Sequence, residues 1–306
     1  MRNDWAILQN RCKIIIDPFK QYSGYVFEIF YITFPQNLMS KLIILFFRIL
    51  RKLHFIKSIP ESLSYNYSWK KNVKKISNWI IFYDSNASSI CKFIKKHNPS
   101  ARVYAYSWDI NFVPKAESCF DGIGTFDPVQ AKKNNLLYYS QFYAYCERYT
   151  SFLPYAKSNF TFLFCGREKK RKQTILEIKV YCDTIDSNSL WKIVEQSDDS
   201  IPYLDYLSLL INSKCIVDIV VDGQSGLTLR PLEALFFDKK LITNNKYLRY
   251  MSFYDPANIF IYGIDTNLKQ FMDTPLNPVP ESIKKQFLLE SFVERILSGE
   301  SVNFAL

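Results

Sequence analysis

Glycine is scarce in this sequence, 8 residues in 306, and histidine scarcer, with only His54 and His97. So few glycines make each glycine-bearing loop informative, because positive φ and close approach of a ligand to the backbone are confined to those places. The seven cysteines (Cys12, Cys91, Cys119, Cys146, Cys165, Cys182, Cys215) form no CxxC pair. With two histidines, that argues against a zinc site and fits reduced, buried thiols in a cytoplasmic protein. No uncharged apolar run reaches the length of a transmembrane helix, so no span is expected. The start, MRNDWAILQNRCK, lacks the apolar core of a signal peptide. Fixed-period repeats and low-complexity tails are absent too. Asp-x-Asp and GxGxxG occur nowhere, which disfavours a divalent ion gripping a diphosphate and gives no reason to invoke a dinucleotide.

What is present is a globular composition, 48% hydrophobic and 22% charged, able to bury a core. Basic residues number 39 against 29 acidic, a net charge of +10 that suits an anionic partner: phosphate, anionic lipid or nucleic acid. Nucleic acid ranks last. The 25 Phe and 21 Tyr sit mostly in apolar runs rather than between basic residues, and no helix-turn-helix, RRM or zinc-finger pattern appears.

Along the chain, Arg11–Asp17 is a candidate first strand, and Tyr25–Phe34 an aromatic apolar run. Ser40–Lys57 is apolar with Lys41, Arg48, Arg51, Lys52 and Lys57 set into it, and Trp69–Lys75 adds four lysines. Two readings stand: a basic helix lying on an anionic membrane through 40–75, or a core helix with snorkelling ends. From Trp79 the pattern becomes regular. Strands are expected at Trp79–Tyr83, Arg102–Trp108, Phe120–Thr125 and Leu136–Phe142, with a helix over Ser88–His97. A boundary is expected between Tyr143 and Asn159. Beyond it come a strand at Phe160–Cys165, helices over Gln173–Cys182 and Tyr203–Asn212, and a strand at Ile216–Val221. A helix over Leu229–Phe237, strands at Leu241–Thr243 and Asn258–Tyr262, and a helix over Ile283–Leu297 complete the pattern. Strands alternating with helices predict α/β architecture with parallel sheets: two Rossmann-like domains, 1–150 and 151–306, the last helix a candidate to pack back on the first.

Two loops of the second half fit an anion. One strand ends at Gly166 and runs into Arg167, Lys169, Lys170, Arg171 and Lys172 at a helix start, where cations are out of place unless an anion is bound; a solvated basic face is the other reading. In the other loop, Asp222-Gly-Gln-Ser-Gly226 follows a buried strand and leads into a helix with Thr228 as its cap and Pro231 in the first turn. Amides at Gly226–Leu229 and the Arg230 side chain are placed to meet phosphate. Glu233, one turn in, is placed either to accept from a ribose diol or simply to complement the helix N-terminus.

These stretches (FTFLFCGREKKR at Phe160–Arg171, Gly124-Thr-Phe-Asp127 with Tyr139–Tyr143, and Gly226–Leu235 followed by Lys239–Asn244) resemble bacterial lipopolysaccharide and capsule biosynthesis glycosyltransferases of the GT-B type. The resemblance covers about Trp79 to Ile264. It implies two Rossmann-like domains facing across a cleft, a nucleotide-sugar donor held mainly by the second, and a saccharide or lipid-linked saccharide acceptor. Donor-binding positions by this match are Gly166, Arg167, Arg171, Gly226, Thr228, Arg230 and Glu233. No cofactor or metal is expected. Asp84, Asp109 and Asp127 are candidates for the base that an inverting transfer needs, although Asp127, before Pro128, is better suited to cap a turn. The implied activity is metal-independent sugar transfer at the inner face of the cytoplasmic membrane; the alternative is a non-catalytic nucleotide-sugar-binding subunit.

Overall fold

The computed structural model describes residues 5–9, 19–20, 26–31, 38–56, 68–82, 86–110, 118–143, 159–168, 170–194 and 201–301. The expected strand at 11–17, Asp84, Lys169 and residues 144–158 of the expected boundary lie outside the described residues. The chain divides into two compact units, Met1–Gly124 and Thr125–Leu306. The division precedes the expected boundary because residues 125–143 pack with the second half. The Phe142 and Phe292 rings lie 4.3 Å apart, and the Tyr143 amide donates to the Phe287 carbonyl at 2.7 Å.

In the first unit, β1 (Trp5–Gln9), β2 (Phe27–Tyr31), β3 (Asn78–Phe82), β4 (Arg102–Ser107) and β5 (Gly122–Thr125) lie in the order β2-β1-β3-β4-β5. The β1–β2, β1–β3 and β3–β4 pairs are parallel. Every residue of β3 is buried, which is why its sequence is a continuous apolar run instead of an alternating one. Helix α1 spans Leu38–Lys52 and α2 spans Ala87–His97. α2 buries Ala87, Ile90, Cys91 and Ile94 along one face and ends on Lys95-Lys96-His97, cations that suit its negative end. A 3-10 turn at Ser68–Asn72 drives Trp69 into the core, 6.1 Å from Trp79 and 5.5 Å from Phe93.

The second unit opens with α3 (Pro128–Asn134) and the short β6 (Leu137–Tyr138), then builds a five-stranded sheet. Its strands are β7 (Phe160–Arg167), β8 (Ser189–Val194), β9 (Ser213–Asp218), β10 (Lys240–Thr243) and β11 (Ile259–Ile261), ordered β11-β10-β9-β7-β8 and all parallel. Helices α4 (Lys172–Asp183), α5 (Tyr203–Ile211), α6 (Leu229–Phe236) and α7 (Leu268–Asp273) cover the two faces. The period-2 alternation of the strands sorts the core. Leu163, Ile216, Leu241 and Ile259 pack with α5 and α6, whereas Phe162, Phe164, Val217, Ile242 and Phe260 pack with α4 and α7. Numbered from its own first strand, each unit shows the same doubly wound order, with strand 1 between strands 2 and 3. Both units are Rossmann-like α/β sheets.

The C-terminal segment departs from the single helix expected over 283–297. It forms α8 (Glu281–Lys284), a 3-10 turn at Lys285–Phe287 and α9 (Leu289–Ser298), interrupted at the extended Leu288. Leu288 bridges Tyr143 in parallel register, so a tertiary strand contact overrides local helix propensity there. Leu136–Phe142, expected as a strand, contributes only the two residues of β6. No helix among the described residues is long and apolar enough to cross a membrane.

Candidate functional site

In the second sheet the chain leaves β7 toward β8 on one side and returns to β9 on the other. Connections that diverge from two adjacent parallel strands open a crevice at the strands' carboxyl ends, the place where such sheets hold ligands. Cys165-Gly166-Arg167 ends β7 there, Asp218 ends β9, and α6 begins from the loop after β9.

Two guanidinium groups converge on this point. A Cβ added to Gly166 would stand 2.9 Å from Arg230 Nη2 and 3.2 Å from Arg171 Nη2, so the two cations lie within about 6 Å of each other. A side chain at this position would crowd the flexible tips of both arginines. Arg171 donates from Nε and Nη2 to the Arg167 carbonyl, at 3.0 and 2.8 Å, and from Nη1 to the Ile219 carbonyl. Arg230 donates from Nη2 to the Cys165 carbonyl, while its Nη1 stands 3.6 Å from the Asp218 carboxylate. Both lie over the Phe164 ring, at 5.9 and 5.8 Å. The Arg230 Nε is buried without a hydrogen-bond partner.

The two guanidinium groups are shifted in opposite directions. Burial and then the charge of Arg230 push the Arg171 guanidinium below the usual arginine range. Burial also opposes the Arg230 charge, but Tyr206, Asp218 and Glu233 outweigh it and hold Arg230 above that range. Asp218 is fully buried and already accepts from Thr228 Oγ1 at 2.9 Å and Thr243 Oγ1 at 3.4 Å. Asp218 also draws on Arg171, offsetting part of what burial and the charge of Arg230 do to it.

The loop from β9 to α6 is held rigidly, and its ties correct several expectations. Asn244 pairs with both the amide and carbonyl of Val220, at 2.8 and 3.1 Å, and Asn245 Nδ2 donates to the Ser225 carbonyl at 3.2 Å. Thr228 caps α6 as expected, accepting from the Arg230 amide at 3.2 Å. The Gly226 amide, expected to meet phosphate, instead donates at 2.9 Å to the Asp127 carboxylate. Gly226 is glycine because a Cβ there would sit 2.6 Å from both the ring and the carbonyl oxygen of Phe126.

Asp127 itself is fully buried and caps α3, accepting from the Gln130 amide at 2.9 Å; it also accepts the Ser225 amide at 2.7 Å and the Ser225 hydroxyl. With four donors on its two oxygens and no exposure to solvent, it latches the start of α3 to the loop before α6. Glu233 is 2% exposed, and its oxygens accept from the Tyr203 hydroxyl at 2.9 Å and the Tyr206 hydroxyl at 2.6 Å. Burial raises its pKa, opposed by the Tyr206 hydrogen bond and by Arg230. The carboxylate expected to take a ribose diol is therefore already occupied by two phenols, and Tyr203 is bonded in turn to the Tyr143 hydroxyl at 2.8 Å. Asp109 belongs to the first unit, and Arg167 is exposed at the end of β7.

The structure thus brings together Gly166, Arg171, Arg230, Thr228 and Glu233, with Gly226 behind them in the loop wall. Sequence reasoning missed Asp218, Tyr203 and Tyr206. Asp218 had a signal, an acid inside the apolar run CIVDIVV; Tyr203 and Tyr206 had one too, phenols three apart on one helix face. No group of three potential metal ligands occurs among the described residues.

No family model and no curated protein matches the chain. Among solved structures it is similar to a lipopolysaccharide outer core galactosyltransferase, WaaB, in its apo form, at 12% identity over 96% of this chain and 99% of that one, with a TM-score of 0.49. A UDP-GlcNAc 2-epimerase from Neisseria meningitidis bound to UDP-GlcNAc follows at 10% identity, 96% and 98% coverage and TM-score 0.44. A LacI transcriptional regulator from Lactobacillus brevis shows 12% identity, 98% and 95% coverage and TM-score 0.26. Likenesses at these scores assign no residue and no chemistry.

Proposed function

We propose that this chain is a glycosyltransferase whose second unit holds the diphosphate of a nucleotide-sugar donor. The sugar would pass, without a metal, to a lipopolysaccharide, O-antigen or capsule saccharide at the inner face of the cytoplasmic membrane. The observation that carries this reading is the pair Arg171 and Arg230, drawn together over Gly166 at the switch point of a parallel sheet. The quoted resemblance of Phe160–Arg171 and Gly226–Asn245 supports the same class.

In such a transfer the bond from the sugar's anomeric carbon to the phosphate oxygen breaks, and the acceptor hydroxyl oxygen bonds to that carbon. Negative charge grows on the departing diphosphate. Arginines fixed beforehand stabilise that charge at no reorganisation cost, and each guanidinium can present two parallel N–H donors to phosphate oxygens. Gly166, Arg171 and Arg230 would touch the donor, and Arg167 would flank it. Gly226, Thr228 and Glu233 would hold the wall of the site. The hydroxyl proton leaves to a base.

A non-catalytic nucleotide-sugar-binding subunit is favoured by one observation: Asp127, the base candidate within the second unit, is saturated. A thermal-shift screen with UDP-, GDP-, CMP- and dTDP-linked sugars, followed by an assay of nucleotide release with acceptor and EDTA present, separates the readings. A shift with release supports the transferase, and a shift without release under any acceptor tested supports the binding subunit. No shift with any donor overturns both.

A further inference from the structure

We propose that helix α1 is a docking surface for anionic lipid. The described residues contain 14 exposed large hydrophobic side chains, and eight of them fall between Met39 and Phe55. Elsewhere exposed apolar residues are scattered, as on any protein surface. Here they form a stripe. Met39, Leu42, Phe46, Ile49 and Leu53 follow one another at intervals of three and four residues along one face, and Phe46 is 57% exposed. Ile44, Phe47 and Leu50 are half-buried.

Charge selects the occupant. Arg48, Arg51 and Lys52 are exposed on the same helix, and no acidic residue occurs anywhere from Leu38 to Ile56. An apolar stripe with only cations beside it complements an anionic leaflet: the stripe enters the acyl boundary while the cations meet the headgroups. A second copy of this chain fits worse, because a two-fold contact sets a face against itself and would bring together cations with no anion to offset them. The four lysines that follow, expected to extend this surface, serve it only as charge. Lys70, Lys71, Lys74 and Lys75 are exposed, but Trp69, Val73 and Ile76 between them are buried in the core. The lipid-facing apolar surface is therefore α1 with Leu53 and Phe55, and not the whole of 40–75. This inference concerns the first unit and does not rest on the proposed transfer reaction.

The test is co-sedimentation of the full chain with vesicles of phosphatidylcholine alone and of phosphatidylcholine with about one-third phosphatidylglycerol. The expected result is binding to the anionic vesicles about tenfold or more above the neutral ones at low salt, reduced at high salt. Leu42→Glu with Phe46→Glu abolishes binding, whereas Arg48→Glu with Arg51→Glu removes the preference for anionic lipid. All four side chains are exposed, so unchanged melting curves verify that the variants fold. Absence of binding by the wild-type chain overturns the proposal, as does binding that survives Leu42→Glu with Phe46→Glu. So does a wild-type dimer by light scattering that Phe46→Glu converts to monomer.

Discussion

Asp127 and Ser225, 98 positions apart, are joined twice, by the Ser225 amide to Oδ2 at 2.7 Å and by the Ser225 hydroxyl to Oδ1. With the Gly226 amide at 2.9 Å, this carboxylate takes the place of an external anion at the loop that leads into α6. Removing it strands buried N–H donors, each costing about 1–3 kcal/mol. Asp127→Ala is therefore expected to lower stability by about 2–4 kcal/mol in urea denaturation, and Asp127→Asn, which keeps one acceptor, by less. A residue acting only as a base would show the reverse: lost turnover at unchanged stability.

Two glycines of the same loop make a matched pair. At Gly226 an added Cβ meets the Phe126 ring and carbonyl oxygen at 2.6 Å, whereas at Gly223, with φ of 83°, it meets nothing within 4 Å. Gly223→Ala is expected to cost about 1 kcal/mol, from backbone conformation alone. Gly226→Ala is expected to cost about 2–3 kcal/mol from overpacking. Shortening the ring with Phe126→Ala does not rescue Gly226→Ala, because the backbone oxygen is as close as the ring. Thermal denaturation of the three single variants and the double variant checks this.

The alternation of strands and helices was legible from sequence because the second sheet is buried on both faces and its strands are short apolar runs bounded by polar turns. Strand β8 escaped notice. SLWKIV is partly exposed at the sheet edge and carries no continuous apolar signal. Helix α3 was hidden behind Asp127-Pro128, a helix-start signature that reads equally well as a turn. The closeness of Arg171 and Arg230 was legible in part, since each follows the carboxyl end of one of two strands that prove to be neighbours, β7 and β9. Glu233 was legible as important but not in its role. Its partners Tyr203 and Tyr206 come from α5, and a pairing across 27 to 30 residues leaves no local pattern.

Glu233 should leave a signature in the pH dependence of stability. Burial, the largest influence, raises its carboxyl pKa above the ordinary glutamate value. An acid whose folded pKa is raised binds its proton more tightly in the folded chain. Its favourable contribution is then full below the unfolded value and is lost as pH rises through the folded one. Wild-type stability should fall, relative to Glu233→Gln, as pH rises from the ordinary glutamate range toward neutrality; parallel curves would mean that the carboxyl is not raised. Glu233→Ala leaves two buried phenols without their acceptor and should cost about 2–4 kcal/mol at any pH in that range. Urea titrations of the three proteins across pH measure both effects.

The last expectation concerns the arginine pair, where Arg171 should matter for binding far more than for stability. In the free protein Arg171 is held against burial and against the charge of Arg230, and it donates to the main-chain carbonyls of Arg167 and Ile219. Arg171→Gln removes a disfavoured cation while keeping one amide donor, so the change in stability should lie within about 1 kcal/mol of zero. Binding should suffer instead, because a diphosphate is the group that turns two crowded cations from mutually repelling to jointly compensated. Arg171→Gln and Arg230→Gln should each weaken binding of the nucleoside diphosphate by about tenfold or more, as expected for losing a charge-assisted hydrogen bond. Lysine at either position should restore the charge without the paired donors and recover only part of the loss. Arg230→Gln should lose stability in either case, since it leaves the buried Asp218 without its cation. If the arginines merely brace the strand ends, Arg171→Gln will lose stability too and both variants will keep their affinity. Calorimetric titration with UDP and GDP, run beside urea denaturation of the same samples, distinguishes the two outcomes.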